Sequence, residues 1–175
     1  MKRYLPAKTK SSFLAEAGLY IAITIILSRF FSITFWNQRI GFAFIPILVS
    51  AIRLGPFGSF SVALLADLIG ASLFPLGPIN LGITFDTSLV GFLYGIFFFH
   101  GINQKKLFFF LLISQVGVYF FLQTLWLSQI FGQPYLVTLG SRIPNTILQV
   151  VVKWLVITGL EKSPYYKQIK VPSLA

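Results

Sequence analysis

The sequence predicts an all-α membrane protein, a bundle of six transmembrane helices in one domain that occupies residues 1–175. Hydrophobic residues make up 56% of the chain, and the mean hydropathy of +0.83 exceeds what a soluble domain of this length can bury. The apolar runs approach the roughly 20 residues that a helix needs to cross the hydrocarbon layer, and none alternates like a barrel strand. The predicted spans are residues 12–30, 39–53, 56–74, 83–100, 106–130 and 140–160.

The charge distribution predicts the orientation of these spans. The chain has 14 Lys and Arg against 4 Asp and Glu, a balance that in a soluble protein points to nucleic acid. In a membrane protein, basic residues collect in the cytoplasmic loops instead. Cytoplasmic termini place most of them inside, so we expect a multi-pass, N-in/C-in protein of the cell membrane, in contact with the lipid bilayer and not with nucleic acid. The residues placed inside are Lys2, Arg3, Lys8, Lys10, Arg53, Lys105, Lys106, Lys162, Lys167 and Lys170.

The first span contains two small residues four positions apart, Gly18 and Ala22. Small residues at this spacing let a second helix approach closely in lipid, so they form a candidate docking face. Ala and Gly also occur in membrane helices without such a role. The span is full length and ends without a small-residue cleavage site, so we expect it to be retained and not removed as a signal peptide.

The second span is short and contains Pro46, which predicts a thin, tilted or irregular crossing. The Gly55-Pro56 pair then predicts a tight inner turn, with Pro56 in the first turn of the third span, where its missing N–H is not needed. Asp67 lies in the middle of that span. A carboxylate at this depth must pair, become protonated or face a wet cavity, so Asp67 is either a structural or a ligand-binding residue.

The outer segment FPLGPINLGITFD, which includes Pro75 and Gly77, follows the third span. Pro and Gly break helix geometry, and open backbone in a membrane is tolerated where it lines a cavity or packs on protein. We therefore expect this segment to cover an outward-facing site. Asp86, near the outer start of the fourth span, either belongs to that site or complements the positive end of the helix dipole.

Polar residues recur on one face of each of the last two spans. At about 100° per residue, their spacings keep each set on one side of its helix, which favours a lined cavity. The alternative for the two cations of the sixth span is that each extends toward a membrane interface. The two sets are Gln115, Tyr119, Gln123 and Trp126 in the fifth span and Arg142, Asn145, Gln149 and Lys153 in the sixth.

Several functions are disfavoured by what the sequence lacks. It has no G-x-x-x-x-G-K-[ST] loop, which disfavours ATP binding in the P-loop manner. One His and no Cys make a metal site unfavourable. No nucleophile and base for covalent catalysis can be recognised. We therefore expect no enzyme, no cofactor and no metal. An aromatic pocket with Arg at its mouth and amides deeper down suits a flat, hydrogen-bonding heterocycle with an anionic tail, that is, a vitamin-like molecule.

Several segments carry a family resemblance. RIGFAFIP, GPFGSFSVALLADLIG, FPLGP and GFLYG occur in this order, preceded by GLYIAITIILSRF and followed by TLWLS and SR. Together they resemble the substrate-binding S component of energy-coupling factor (ECF) transporters, specifically its folate family. The resemblance covers nearly the whole chain and implies an S-component-like bundle of six helices.

The resemblance implies that the protein captures folate or a related pterin from outside with high affinity. It would then dock on an ECF module of one scaffold transmembrane protein and two ATPases, so that ATP hydrolysis resides on partner subunits. Gly18 and Ala22 correspond to the motif that meets the scaffold, with Gly18 in place of the usual Ala. The segments SITFWNQ and PLGPINLG correspond to the loops that gate the site.

The resemblance also implies roles for individual residues. Arg39 and Arg142 are expected to bind the glutamate carboxylates, and Asp67 the amino and ring N–H donors of the pterin. Asn145 stands where the family often has Lys. The candidate substrate-binding residues are Arg39, Phe42, Pro46, Asp67, Pro75, Gly77, Phe85, Tyr119, Gln123, Trp126, Arg142, Asn145 and Gln149.

Two other functions are compatible with the sequence. One is an S component of the same fold for another heterocycle, such as a queuosine precursor. The other is a structural subunit of a membrane complex without a ligand of its own.

Overall fold

The computed structural model describes residues 10–35, 38–75 and 79–163, with the backbone alone at 33–35 and 38–40. Five helices in these ranges are long and apolar enough to cross a membrane, so the predicted helical class is confirmed. They are α1 (Lys10–Arg29), α2 (Phe44–Leu73), α3 (Leu81–Phe98), a long helix (Gln104–Phe131) and α6 (Tyr135–Lys162). The long helix consists of α4 (Gln104–Leu111), a π-helix (Leu112–Leu122) and α5 (Gln123–Phe131).

Helix α2 is interrupted at Gly55, where the sequence predicts a turn. Gly55 has φ 79° and ψ −173°, a conformation that glycine adopts at little cost. Both resulting arms, residues 44–54 and 56–73, extend from this corner along α3. Gly55 itself lies against Phe99 at the end of α3, whereas the second arm reaches Thr84 near its start, through Asp67. The interruption therefore turns the chain back on itself.

A short hairpin connects α1 to α2 and corrects one predicted boundary. Strand β1 (Ser32–Phe35) pairs antiparallel with β2 (Gln38–Gly41), with Ser32 opposite Gly41. Isoleucine, threonine and phenylalanine, which favour strands, dominate β1. The predicted start of the second span at Arg39 is therefore wrong. Arg39 belongs to β2, and the helix begins at Phe44.

The two ends of the bundle carry different connections. We call one the hairpin end, which contains β1, β2 and the turn at residues 132–134. The other, the Gly55 end, contains Gly55 and residues 99–103, and there Gln104 Nε2 donates to Glu161 Oε2 at 2.7 Å. Helix α6 therefore starts at the hairpin end and finishes at the Gly55 end.

The hydrophobic core is concentrated toward the Gly55 end. The ring of Phe110 lies 4.3 Å from that of Tyr94 and 5.1 Å from that of Phe98, measured between centroids. Leu107 and Ile157, both fully buried, join the long helix and α6 to the same cluster. These side chains form an apolar layer near the Gly55 end of the bundle.

Candidate ligand-binding pocket

A cavity of about 190 Å³ lies between the first arm of α2, α3, the long helix and α6. Among the residues described, its wall mixes aromatic rings, amides, hydroxyls and two cations, and includes no Asp or Glu. The lining residues are Gly41, Ala43, Phe44, Ile47, Thr87, Val90, Tyr94, Gln115, Tyr119, Gln123, Arg142, Asn145, Thr146, Gln149 and Lys153.

The two predicted polar stripes meet across this cavity. Arg142 Nη2 of α6 donates a hydrogen bond to Gln123 Oε1 of α5 at 2.7 Å. This bond joins two helices through groups that lipid cannot solvate. Asn145 and Gln149 follow Arg142 along the same face of α6 and line the cavity as well.

Trp126 continues the predicted stripe in sequence but lies outside the lining set. A Cβ added to Gly82 would lie 2.3 Å from Trp126 Cδ2, so the indole packs directly on the start of α3. The long helix changes from π to α geometry at Gln123. An α-helical spacing applied across that change therefore misplaces residues beyond it.

Lys153 occupies a buried position in the cavity wall. Its side chain is 6% exposed, and Nζ lies 4.6 Å from the Tyr119 ring centroid and 5.7 Å from that of Phe44. Such cation–π contacts contribute most when the cation is desolvated. Lys153 therefore lines the cavity as the polar stripe predicts, and the alternative, in which it extends to a membrane interface, does not describe its position.

Several buried polar atoms of the cavity wall have no hydrogen-bond partner within the described ranges. They are the Tyr94 hydroxyl, Gln115 Nε2 and Arg142 Nη1. A buried donor left unpaired costs about 1–3 kcal/mol. A ligand that offers acceptors in the cavity would recover this free energy.

Asp86 is fully buried beside the cavity. Neither of its carboxylate oxygens has a hydrogen-bond partner among the residues described, although Trp126 and Arg142 are near neighbours. The N-terminus of α3 is capped by Asn80, whose side chain accepts from the Gly82 N–H at 2.8 Å. The dipole interpretation of Asp86 is therefore wrong, because that effect fades beyond the first turn.

Asp67 lies outside the lining set, in a network that joins three helices. Its Oδ2 accepts from Thr84 Oγ1 of α3 at 2.7 Å, and its Oδ1 lies 3.8 Å from Arg29 Nη2 of α1. Arg29 also packs against Gly70, where an added Cβ would lie 3.0 Å from its Nε. The carboxylate therefore joins α2 to both α1 and α3.

The other predicted site residues are not among the lining residues of the cavity that the structure describes. Pro46 is buried one residue before Ile47 of the wall, and Phe42 packs on the core. Phe85 is 53% exposed and Pro75 is exposed as well. Arg39 is described only by its backbone in β2, and Gly77 lies outside the described residues.

The predicted docking face lies on the outside of α1. A Cβ at Gly18 would meet nothing within 4 Å, and Ala22 is exposed one turn further on. Ala15 and Ile26 are exposed on the same side. This surface is therefore available to a partner helix or to lipid.

A polar and aromatic cavity between apolar helices is typical of a membrane protein that binds a small molecule. A sequence model described as "ECF transporter, substrate-specific component" matches residues 12–161. The chain belongs to this family of transporter components, and the predicted resemblance is confirmed.

Similar proteins agree with this assignment. The chain is 29% identical to the folate transporter FolT of Clostridium novyi (strain NT) over 143 residues, which cover 81% of this chain and 83% of that protein. It also matches a crystal structure of FolT bound with folic acid with a TM-score of 0.80. That match has 27% sequence identity and covers 88% of this chain and 93% of the other.

The contact between Thr84 and Asp67 predicts the effect of one substitution. Thr84→Val keeps the side-chain shape but removes the donor to Asp67 Oδ2, so the free energy of unfolding should fall by about 1–3 kcal/mol. Thr87→Val is the control, because among the described residues the Thr87 hydroxyl donates to the Ile83 carbonyl of its own helix. Unfolding in mixed detergent micelles measures both variants. Equal losses would contradict a stabilising role for the Thr84–Asp67 contact.

Proposed function

We propose that this protein captures folate or a related pterin at the extracellular side and delivers it after docking on an ECF module. The observation that carries the proposal is the cavity wall itself. It combines the rings of Tyr119 and Phe44 with the cations Arg142 and Lys153. Its support is the fold, which matches that of FolT bound with folic acid.

The proposed topology is that of a multi-pass cell-membrane protein with six spans and both termini inside. The two arms of α2 count as separate spans, because the chain turns back at Gly55. The Gly55 end carries Arg53, Lys105 and Lys106, which favours a cytoplasmic location for that end. The hairpin end then faces the outside.

The ligand is proposed to lie along α6. Its anionic tail would pair with Arg142, nearer the hairpin end, since guanidinium binds carboxylate bidentately. Its ring would stack on Tyr119, with the amides of Gln123, Asn145 and Gln149 as hydrogen-bond partners. These five residues are the part of the predicted site for which the cavity gives support.

The small volume of the cavity indicates that the protein must open to admit the whole ligand. A cavity of about 190 Å³ is smaller than the roughly 300–1,000 Å³ of most small-molecule sites. Gly41, which ends β2, forms part of the wall. An outward movement of the hairpin would therefore make room for the tail, in line with the proposed gating role of this connection.

The remaining members of the predicted site stay predictions. They lie at the periphery of the cavity, in the α1–α3 network or outside the described residues. They are Arg39, Phe42, Pro46, Asp67, Pro75, Gly77, Phe85 and Trp126.

Folic acid should stabilise the purified protein against thermal unfolding. At a free ligand concentration of 100 times Kd, the gain in the free energy of unfolding is about 2.7 kcal/mol.

Arg142→Gln should weaken folic acid binding about 10- to 100-fold, because it removes a charge-assisted hydrogen bond. Ile147→Ala is the control on the outer face of α6, where Ile147 is 61% exposed.

The result that would contradict folate capture is the absence of stabilisation by any pterin. A clear shift with another heterocycle in the same assay would identify an S component with a different substrate. No shift with any ligand, together with unchanged transport in the Arg142→Gln variant, would point to a structural subunit.

Substitutions on α1 separate docking from binding. Gly18→Trp and Ala22→Trp place a large side chain on the exposed face, so uptake by cells that contain the ECF module should be lost while folic acid binding in detergent is retained. Phe108→Trp is the control, since Phe108 is 62% exposed on α4. Uptake of radiolabelled folic acid measures the effect. Normal uptake by both α1 variants would exclude this surface as the docking face.

A further inference from the structure

We propose that Lys153 recognises a carbonyl oxygen on the ring of the bound ligand and thereby selects oxo-pterins over amino-pterins. This inference rests on the proposed function. Lys153 would be a specificity-determining residue at the end of the cavity nearer the core, separate from the cation that binds the tail.

The position of Lys153 supports a contact with the ring. Its side chain is 6% exposed and lies against Tyr119 and Phe44. A flat heterocycle that packs beside Tyr119 and Phe44 comes within reach of Nζ, which lies over the Tyr119 ring at 4.6 Å from its centroid. An ammonium held at this depth is costly unless a polar partner reaches it.

The neighbouring groups make this part of the cavity rich in donors. Gln115 Nε2 and the Tyr94 hydroxyl are buried and unpartnered among the residues described, and both side chains line the cavity with Lys153. No Asp or Glu lines the cavity to accept from them. The wall here therefore favours a ligand group that accepts hydrogen bonds.

The two cations of the cavity are far enough apart to bind different parts of one molecule. Lys153 follows Arg142 by eleven residues on the same helix, a rise of roughly 16 Å at 1.5 Å per residue. Arg142 is already bonded to Gln123 and lies nearer the hairpin end. An elongated ligand with its anionic tail at Arg142 then places its ring beside Lys153.

The chemistry of the ammonium group determines which ring fits. An ammonium offers three donors and no acceptor. It binds the 4-oxo oxygen of folic acid, whereas the amino group at the same ring position presents further N–H donors. A site that hydrogen-bonds one of two near-isosteric groups discriminates strongly, because the wrong group leaves a buried donor unpaired.

The test compares folic acid with 4-amino-4-deoxyfolic acid, which carries the same tail. Titration of the protein in lipid nanodiscs by calorimetry gives both dissociation constants. The unmodified protein should bind folic acid at least about 10-fold more tightly than the amino compound. Lys153→Met should weaken folic acid binding about 10-fold or more, leave the amino compound unchanged or improved, and so abolish the preference.

Arg142→Gln is the matched control on the same helix face. Both ligands have the same carboxylate tail, so this substitution should weaken both by the same factor and keep the preference for folic acid. Lys153→Gln, which retains amide donors in the cavity, should show an intermediate preference. It also provides a second test if Lys153→Met does not fold, as judged by thermal unfolding without ligand.

The outcomes separate the inference from the proposed function. If folic acid binds the unmodified protein and Lys153→Met weakens both ligands equally or retains the preference, the inference about Lys153 is overturned and folate capture stands. If neither compound binds the unmodified protein, the proposed function itself fails.

Discussion

Polar side chains cannot be hydrated by lipid tails, and this constraint orients the last two helices. Helix α6 carries Arg142 and Lys153 on one face, whereas Ile147, Val151 and Leu155 on the opposite face are 46–61% exposed. Only an inward orientation of the polar face allows its groups to find partners. The bond between Arg142 and Gln123 fixes that orientation against the long helix, and the cavity is the space that the two polar faces leave between them.

The same constraint connects the fold to function. Interior polar groups in a membrane bundle usually satisfy one another, as Asp67 and Thr84 do between α2 and α3. In the cavity wall, the Tyr94 hydroxyl and Gln115 Nε2 stay unpartnered within the described part of the chain. Without a ligand, these unpaired groups lower the free energy of unfolding. A ligand with matching acceptors would restore the lost free energy by pairing with them.

The helical class and part of the cavity lining were predicted from the sequence, because both depend on local periodicity. Tyr119 and Gln123 stand four residues apart, and Arg142 begins a similar series on α6; all three line the cavity. The lining residues that α2 and α3 contribute were not predicted. Phe44 and Tyr94 are aromatic residues in apolar helices, and nothing in their spacing distinguishes a cavity wall from a core.

Long-range contacts explain the other differences. The contacts of Asp67 with Arg29 and Thr84 could not be predicted from local pattern, because these partners lie 38 and 17 residues away in the sequence. The hairpin was missed because its four-residue strands are too short for a recognisable pattern. Pairing of β1 with β2 moved Arg39 out of the helix predicted for it.

An experimental structure of the protein with folic acid bound would test the proposed binding site most directly. We expect the ligand in the cavity between the first arm of α2, α3, the long helix and α6, with its carboxylates toward Arg142 and its ring beside Tyr119. A ligand bound elsewhere, or with its tail directed toward the core at the Gly55 end, would contradict the proposed site.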